Sequence, residues 1–423
     1  MRKLLGLMVR KLEQPGSGWL VLLLSCFLLT GAMRWRTAAF SPSDPGWAET
    51  VDIHKYLHMA QSPLGSFNIQ PSCWRIGVPF LVSLLPMDAY SGFDLLSVCF
   101  VALTGWMIYY WLRAMSQSGE MALLGVALYF SLGSASKLLL WAVASPDSGA
   151  YFLQVVLLYA IYTRKDLLFA VTLLLGVCVK ETVAFMGLLF YTLQVGETWL
   201  DARLIRRTLL VGLPALAALV AIRVFIPAYN NNDAYVAMVG PKLAEVATGT
   251  ARYSITDGFA IVAHVYAQMS TINLVRTFTY SFLGIHFFLT LLGVGLKPAL
   301  ALRWSPFLLL TGFTFLVALN PERRMGSLFP FLILACLAAI SYLARRLRIP
   351  VAAFTGILAV ETVLLLSKRD VLILPADISM AVFILMLGYA LMTPASEVEP
   401  IESRATRTVG PLGQPNGESS LIS

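Results

Sequence analysis

The sequence predicts an all-α protein, a polytopic bundle of transmembrane helices with about 11–13 spans. Hydrophobic residues make up 58% of the 423 residues and charged residues only 13%, with a mean hydropathy of +0.75. Soluble domains, by comparison, are about one quarter charged. The charges fall in short clusters between apolar stretches of roughly 17 to 25 residues, the length that a spanning helix needs. These stretches do not alternate between polar and apolar residues, as the strands of a membrane β-barrel would.

The predicted spans follow the apolar stretches in chain order: 19–36, 92–112, 120–142, 148–163, 166–180, 182–196, 208–228, 277–296, 304–320, 327–343, 351–367 and 374–393. Residues 77–87, bracketed by Pro79 and Pro86, are too short to cross and predict a re-entrant or interfacial helix. The short neighbours 166–180 and 182–196 predict either two spans or one hairpin that turns within the membrane.

Lysine and arginine in the short connections predict the orientation. With the N-terminus in the cytoplasm, five basic connections, at Arg113, Arg164, Arg203, Lys297 and Arg345, fall on the cytoplasmic side. The net charge of +8 therefore reflects membrane orientation and does not indicate nucleic-acid binding.

One transmembrane domain, residues 1–395, accounts for most of the chain. Its two long connections, 37–76 and 229–275, are external on this orientation. The polar tail 396–423 is predicted to be disordered and cytoplasmic. Basic residues before the first apolar stretch are also typical of a signal peptide, but no clear cleavage site follows, so we expect an uncleaved first span.

No metal site is predicted. The five cysteines are scattered and odd in number, which fits neither a disulfide framework nor a zinc spacing. His54 and His58 have the helical spacing of a metal pair, but no third ligand accompanies them. The sequence leaves open whether a divalent cation is required.

Acidic residues on the external side are candidate catalytic groups. Asp52 and Tyr56 share a face if their segment is helical. The Asp52 carboxylate could then take a proton from an acceptor hydroxyl, although a solvated loop helix explains this residue equally well. Asp147 follows Pro146 at a helix start, where capping alone is a sufficient explanation.

Lys180 and Glu181 interrupt a long apolar stretch. A charged residue at the centre of a spanning helix costs roughly 2.5 to 3.5 kcal/mol on insertion scales. Two adjacent charges therefore predict either a turn at the interface or a polar cavity, and ionisable groups within a membrane are functional candidates by default.

Several cations on the same side are candidate phosphate ligands. Arg75 can fork onto a phosphate, or it can extend toward lipid headgroups, and Trp74 fits an interfacial anchor or a stacking surface for a sugar or prenyl chain. Arg323 and Arg324 lie against the positive-inside trend, which favours phosphate recognition; a salt bridge with Glu322 is the alternative.

At these residues the sequence resembles the bacterial polytopic glycosyltransferases of the GT-C superfamily. The resemblance rests on short motifs spread along the chain: Asp52 with Tyr56, Arg75 with Pro79, Pro146 with Asp147, Lys180 with Glu181, and the turn 321–332. The protein-mannosylating members carry an Asp–Glu pair in the first loop, whereas Ile53 follows Asp52 here.

The resemblance implies a GT-C-like fold in the bacterial inner (plasma) membrane, with both termini cytoplasmic. It implies inverting transfer of a hexose or pentose from a polyprenyl-phosphate donor to a lipid, glycan or protein acceptor on the external face. Membrane lipids and the two substrates would be the partners, and nucleic acid would not. Asp52, Asp147 and Glu181 would be catalytic, with Asp52 as the base; the substrate would be bound by Tyr56, Trp74, Arg75, Lys180, Arg323 and Arg324.

Two other classes remain open. A secondary transporter would fit the number of spans, and 166–196 would then be a discontinuous helix. A non-enzymatic membrane factor in surface-polymer assembly would share the topology without needing convergent acids.

Overall fold

The structure, a computed structural model, describes residues 18–37, 51–61, 72–196, 199–226, 285–316 and 325–367. Every regular element in these ranges is helical, which confirms the all-α prediction for them. The α-helices are α1 (Gly18–Arg36), α2 (Val51–Gln61), α3 (Gly77–Ser83), α4 (Ala89–Ala114), α5 (Gly119–Ser131), α6 (Lys137–Trp141), α7 (Asp147–Tyr162), α8 (Asp166–Val179), α9 (Met186–Thr192), α10 (Ala202–Phe225), α11 (Ile285–Leu296), α12 (Pro298–Leu316), α13 (Phe329–Arg346) and α14 (Val351–Ser367). Short 3-10 helices, Ser72–Trp74 and Glu181–Phe185, come before α3 and α9.

Four helices, α1, α4, α10 and α13, are each long and apolar enough to cross a membrane. Helices α11 and α12 pass the same test only as a pair, with a bend of 117° between them. If this pair is one span, the described residues contain five. Pro298 begins α12 at this bend, where its missing N–H cannot continue the preceding helix. The chain is therefore an α-helical membrane protein. The predicted span 374–393 lies outside the described residues.

The predicted span 120–142 is wrong as a single helix. Helix α5 ends at Ser131, Leu132 is extended, and α6 begins only at Lys137. The Ser136 hydroxyl donates to the carbonyls of Phe130 (3.1 Å) and Leu132 (3.0 Å). Serine hydroxyls that bond the backbone in this way compete with continued helix, so the hydrophobic stretch breaks.

The predicted short pair at 166–196 forms a hairpin. Helix α8, with 14 residues, is about 21 Å long. Lys180 is extended (φ −159°, ψ 131°) and reverses the chain into the 3-10 helix and α9. Gly176 permits the close turn, because a Cβ there would lie 2.4 Å from Val183 Cγ1. The hairpin carries Lys180 and Glu181 at its tip.

An ion pair fixes which helix ends lie together. Arg207, near the start of α10, is paired in bidentate fashion with Asp166, the first residue of α8, and donates to Gln194 Oε1 at 3.1 Å. Helices α8 and α10 therefore begin at one end of the bundle, which we call the Arg207 end. The opposite end, where α8 reaches Lys180 and α10 reaches Ile226, is called the Lys180 end.

Helices α1 and α4 meet at the Lys180 end. Arg34 Nε and Nη2 bond the two Asp94 oxygens at 2.5 and 3.0 Å. Ser97, one turn further into α4, donates to the Val143 carbonyl at 2.8 Å, just before α7. Asp88 caps α4, and its hydrogen bonds with Ser91 lower the pKa of its carboxyl.

The start of α13 also reaches this end. The Phe329 ring centroid lies 5.4 Å from that of Tyr129 and 5.3 Å from that of Tyr151. Gly326 leaves no room for a side chain, because a Cβ would lie 2.5 Å from the Tyr151 hydroxyl. Tyr151 is one turn beyond Asp147, so the chain entering α13 packs beside the start of α7.

Candidate functional site

Arg75 lies at the centre of the site and binds two elements at once. Its Nε and Nη2 bond the Glu181 carboxylate at 2.9 and 2.6 Å, in the bidentate geometry that guanidinium and carboxylate favour. Its Nη1 donates to the Tyr56 hydroxyl at 2.7 Å. Arg75 and Tyr56 are buried, whereas 27% of the Glu181 side chain is exposed. One guanidinium thus joins α2 to the tip of the α8–α9 hairpin.

Lys180 and Asp147 form a second ion pair next to the first. Lys180 Nζ bonds Asp147 Oδ1, and both side chains are buried. Asp147 Oδ2 accepts from the Ser145 hydroxyl at 2.8 Å, while the Asp147 backbone N–H donates back to that hydroxyl at 3.3 Å. Asp147 is the first residue of α7, where the helix dipole also stabilises a negative charge.

A close backbone approach positions Arg75. A Cβ on Gly77, two residues later, would lie 2.8 Å from Val179 Cγ2 and 3.2 Å from the carbonyl carbon and oxygen of Cys178. The start of α3 therefore lies directly on the last turn of α8. This contact holds the Arg75 side chain beside Glu181, the second residue after α8 ends.

Trp74 connects the site to the end of α10. Its Nε1 donates to the Ile226 carbonyl at 3.4 Å, and the Arg223 guanidinium carbon lies 4.2 Å from its ring centroid. Such a distance is within the range of a cation–π interaction. Trp74 therefore lies between the buried ion pairs and the exposed end of α10.

Within each ion pair, the two opposite charges neutralise each other. Removing one partner of a buried pair leaves an uncompensated charge and typically costs about 3 to 5 kcal/mol. Glu181 keeps the largest exposed fraction of these four side chains, and both of its carboxylate oxygens are bonded to Arg75.

Most of the predicted site residues lie together: Tyr56, Trp74, Arg75, Asp147, Lys180 and Glu181 form a continuous set of contacts or sequence neighbours at the Lys180 end. Asp52 lies in the first turn of α2, four residues before Tyr56, and its side chain lies outside the described part. Arg323 and Arg324 also lie outside the described residues. Their roles stay predictions.

Sequence reasoning missed Ser145. The signal was present, since a serine two residues before an aspartate at a helix start can bond both its carboxylate and its backbone. Among the described residues, no group of three or more His, Cys, Asp or Glu side chains could hold a metal ion. The five cysteines, all within the described ranges, form no disulfide with one another.

The chain matches no family model, and no curated protein is significantly similar to it. The fold and site therefore define its class only as an α-helical membrane protein with paired ionic groups recessed at one end of the bundle.

Proposed function

We propose that this protein is a membrane glycosyltransferase with a GT-C-like fold. It moves a hexose or pentose from a polyprenyl-phosphate donor to a lipid, glycan or protein acceptor. The observation that carries the proposal is the meeting of Arg75 with Tyr56 and Glu181 beside the Lys180–Asp147 pair. Residues from four separate parts of the chain are thereby brought to one end of an apolar bundle.

The orientation follows the basic connections. Arg203 and Arg206 lie near Arg207 at the start of α10, on the end away from the site. Under the positive-inside rule that end faces the cytoplasm, and the site faces the exterior of the bacterial inner membrane. Both termini are then cytoplasmic. A donor lipid would reach the site laterally from the outer leaflet.

The reaction uses a carboxylate as the general base, close to cations. The acceptor hydroxyl gives its proton to the Asp52 carboxylate while its oxygen attacks the anomeric carbon. The bond from that carbon to the phosphate oxygen breaks, the electron pair leaves with the lipid phosphate, and the configuration inverts. Asp52 precedes Tyr56 by one helical turn, so α2 supports both the base and the hydroxyl that bonds Arg75.

Asp147 and Glu181 are positioning residues in this proposal. Each holds a cation, Lys180 and Arg75 respectively, in a fixed place by a direct ion pair. Fixed charges near a departing phosphate stabilise the negative charge that develops there, without reorganisation during the reaction. Glu181 is the least buried of these four side chains.

The test is the Asp52→Asn variant in cells and in isolated membranes supplied with a panel of polyprenyl-phosphate sugars carrying a radiolabel. Loss of a general base lowers the rate by roughly 10²- to 10⁴-fold, so labelled glycolipid or glycan should fall by at least about 100-fold. Glu49→Gln, the neighbouring acid in the same loop, is the matched control and should retain transfer. Normal product from Asp52→Asn at normal protein levels would contradict the enzymatic proposal.

One observation favours a secondary transporter as a second candidate. The helix is interrupted between α8 and α9, at Lys180 and Glu181, and many transporters bind substrate at the interruption of a discontinuous helix. A transporter would move a labelled solute across proteoliposomes and would tolerate Asp52→Asn without loss of a glycosylated product. The same pair of variants therefore separates the two functions.

A further inference from the structure

We propose that Arg223 and Trp74 form a binding site for the phosphate group of a membrane lipid at the lateral edge of the bundle. This site, called the Arg223 site, lies beside the buried ion pairs and is separate from them. The inference rests on the proposed function only for the identity of the lipid as a polyprenyl phosphate; the phosphate site itself is argued from the contacts below.

Arg223 lies on the face of α10 that is turned away from the bundle. The exposed residues Val220, Leu216, Leu213 and Leu209 precede it at helical spacing on one side of the helix, and 53 to 66% of each is accessible. From Leu209 to Arg223 this stripe runs about 21 Å. It presents an apolar track with a single cation at its end, which matches a lipid with an anionic headgroup.

The depth of Arg223 also fits a headgroup. Arg207 lies at the opposite end of α10, and 16 residues of helix place Arg223 about 24 Å further along the axis. The hydrocarbon core is about 30 Å thick, so a long arginine side chain at this level reaches the phosphate region. The aromatic ring of Trp74 belongs at the same interfacial level.

Trp74 contacts the Arg223 guanidinium and leaves the hydrogen-bond donors of that guanidinium unused. The contact is with the face of the ring, at 4.2 Å, and the indole N–H is directed instead to the Ile226 carbonyl. The N–H groups of a guanidinium match the oxygens of a phosphate and can bond two of them at once. The tryptophan therefore orders the arginine while its N–H groups stay available to a phosphate.

Arg223 suits this role better than the two cations of the buried pairs. Arg75 is already engaged by Glu181 and Tyr56, and Lys180 by Asp147. A phosphate could bind either of them only by displacing a carboxylate. Arg223, by contrast, is exposed on the lipid-facing side. It contacts Trp74, which directly precedes Arg75 in the chain.

The experiment uses the full-length protein in phosphatidylcholine nanodiscs containing a long-chain polyprenyl monophosphate, with bound lipid counted by native mass spectrometry. Arg223→Gln should weaken retention of this lipid by about tenfold, the loss expected for a hydrogen-bonded charge pair. Arg223→Lys should retain part of the binding because the charge remains. Arg203→Gln, an exposed arginine at the other end of the same helix, is the matched control and should bind normally.

Parallel samples with phosphatidylglycerol and with inorganic phosphate identify the source of the phosphate. Equal weakening for both lipids supports a general lipid-phosphate site, and weakening for the prenyl lipid alone supports a donor site. Unchanged binding by Arg223→Gln, or inorganic phosphate that competes as well as the lipid, would overturn the proposal. Binding is measured without transfer, so a wild-type protein that transfers no sugar would refute the proposed function and leave this result standing.

Discussion

Lys180 and Glu181 are adjacent in the chain, yet they bind opposite charges on two different elements. Lys180 pairs with Asp147 at the start of α7, and Glu181 pairs with Arg75 just before α3. Because Lys180 is extended, the two side chains diverge toward α7 and α3. One dipeptide thereby ties the segment before α3 and the start of α7 to the same hairpin tip.

The Arg75–Glu181 pair should stabilise the fold chiefly because each charge compensates the other. Arg75→Met alone should lower the free energy of unfolding by about 3 kcal/mol, since it leaves a carboxylate in the bundle without its main partner. The double variant Arg75→Met/Glu181→Leu should recover most of that loss, because no charge remains to be desolvated. Unfolding in detergent micelles measures both. A double variant that loses the sum of the two single effects would show that the pair is not coupled.

The Ser145 hydroxyl should contribute modestly to the same region. Ser145→Ala removes one hydrogen bond to the Asp147 carboxylate and should cost about 1 to 3 kcal/mol. Ser305→Ala is the control, because that hydroxyl is exposed and bonds only a carbonyl of its own helix; its effect should stay within about 0.5 kcal/mol. Thermal unfolding of the two variants in the same detergent gives the comparison, and equal stabilities would contradict the role of Ser145.

Gly77 should not tolerate a side chain. Gly77→Ala places a methyl group 2.8 Å from Val179 Cγ2 and 3.2 Å from backbone atoms of Cys178, and backbone cannot move aside cheaply. Overpacking of this kind costs typically about 1 to 3 kcal/mol. It should also displace Arg75, so transfer activity should fall with stability.

Gly212→Ala is the matched control for that substitution. A Cβ at Gly212, inside α10, meets nothing within 4 Å. Alanine there should leave stability unchanged or raise it by up to about 1 kcal/mol, because glycine is unfavourable within a helix. A Gly77→Ala protein as stable as Gly212→Ala would show that α3 and α8 are not in close contact.

The orientation makes a labelling prediction. A cysteine introduced at Asp52 should react with a membrane-impermeant maleimide in intact spheroplasts. A cysteine introduced at Arg203, at the Arg207 end, should react only after permeabilisation. The parent protein, with its native cysteines, supplies the background. Labelling of both positions from one side would refute the predicted topology.

The apolar stretches were sufficient to predict the all-α class, and the charged residues that interrupt them include most of those that meet at the Lys180 end. The Lys180–Glu181 interruption predicted either a turn or a polar cavity because two charges are too costly inside a spanning helix, and the structure has a turn there. The sequence also predicted that Tyr56, Arg75 and Asp147 belong to one site. It could not predict which acid pairs with which cation, because pairing depends on tertiary contacts such as Gly77 against α8.

Hydrophobicity alone predicted more spans than the described residues contain by length and composition. The stretch 120–142 is apolar throughout, but the Ser136 hydroxyl bonds two carbonyls and ends the helix within it. Similarly, α8 and α9 are apolar but short. Hydropathy measures the free energy of transferring a side chain from water to an apolar environment. It carries no information about where the backbone reverses, so a broken helix and a full span can have the same hydropathy.

The shortness of the α8–α9 hairpin has a consequence for the surrounding bilayer. Helix α8 is about 21 Å long and starts at the Asp166–Arg207 ion pair, so the hairpin tip lies at nearly the depth of Arg223, and both lie several ångströms inside the edge of a hydrocarbon core about 30 Å thick. Such hydrophobic mismatch is relieved when the bilayer thins or when water fills the depression above the tip. On the proposed function, the depression would let the sugar of the donor approach the hairpin tip without crossing hydrocarbon, while the prenyl tail stayed among the lipids alongside.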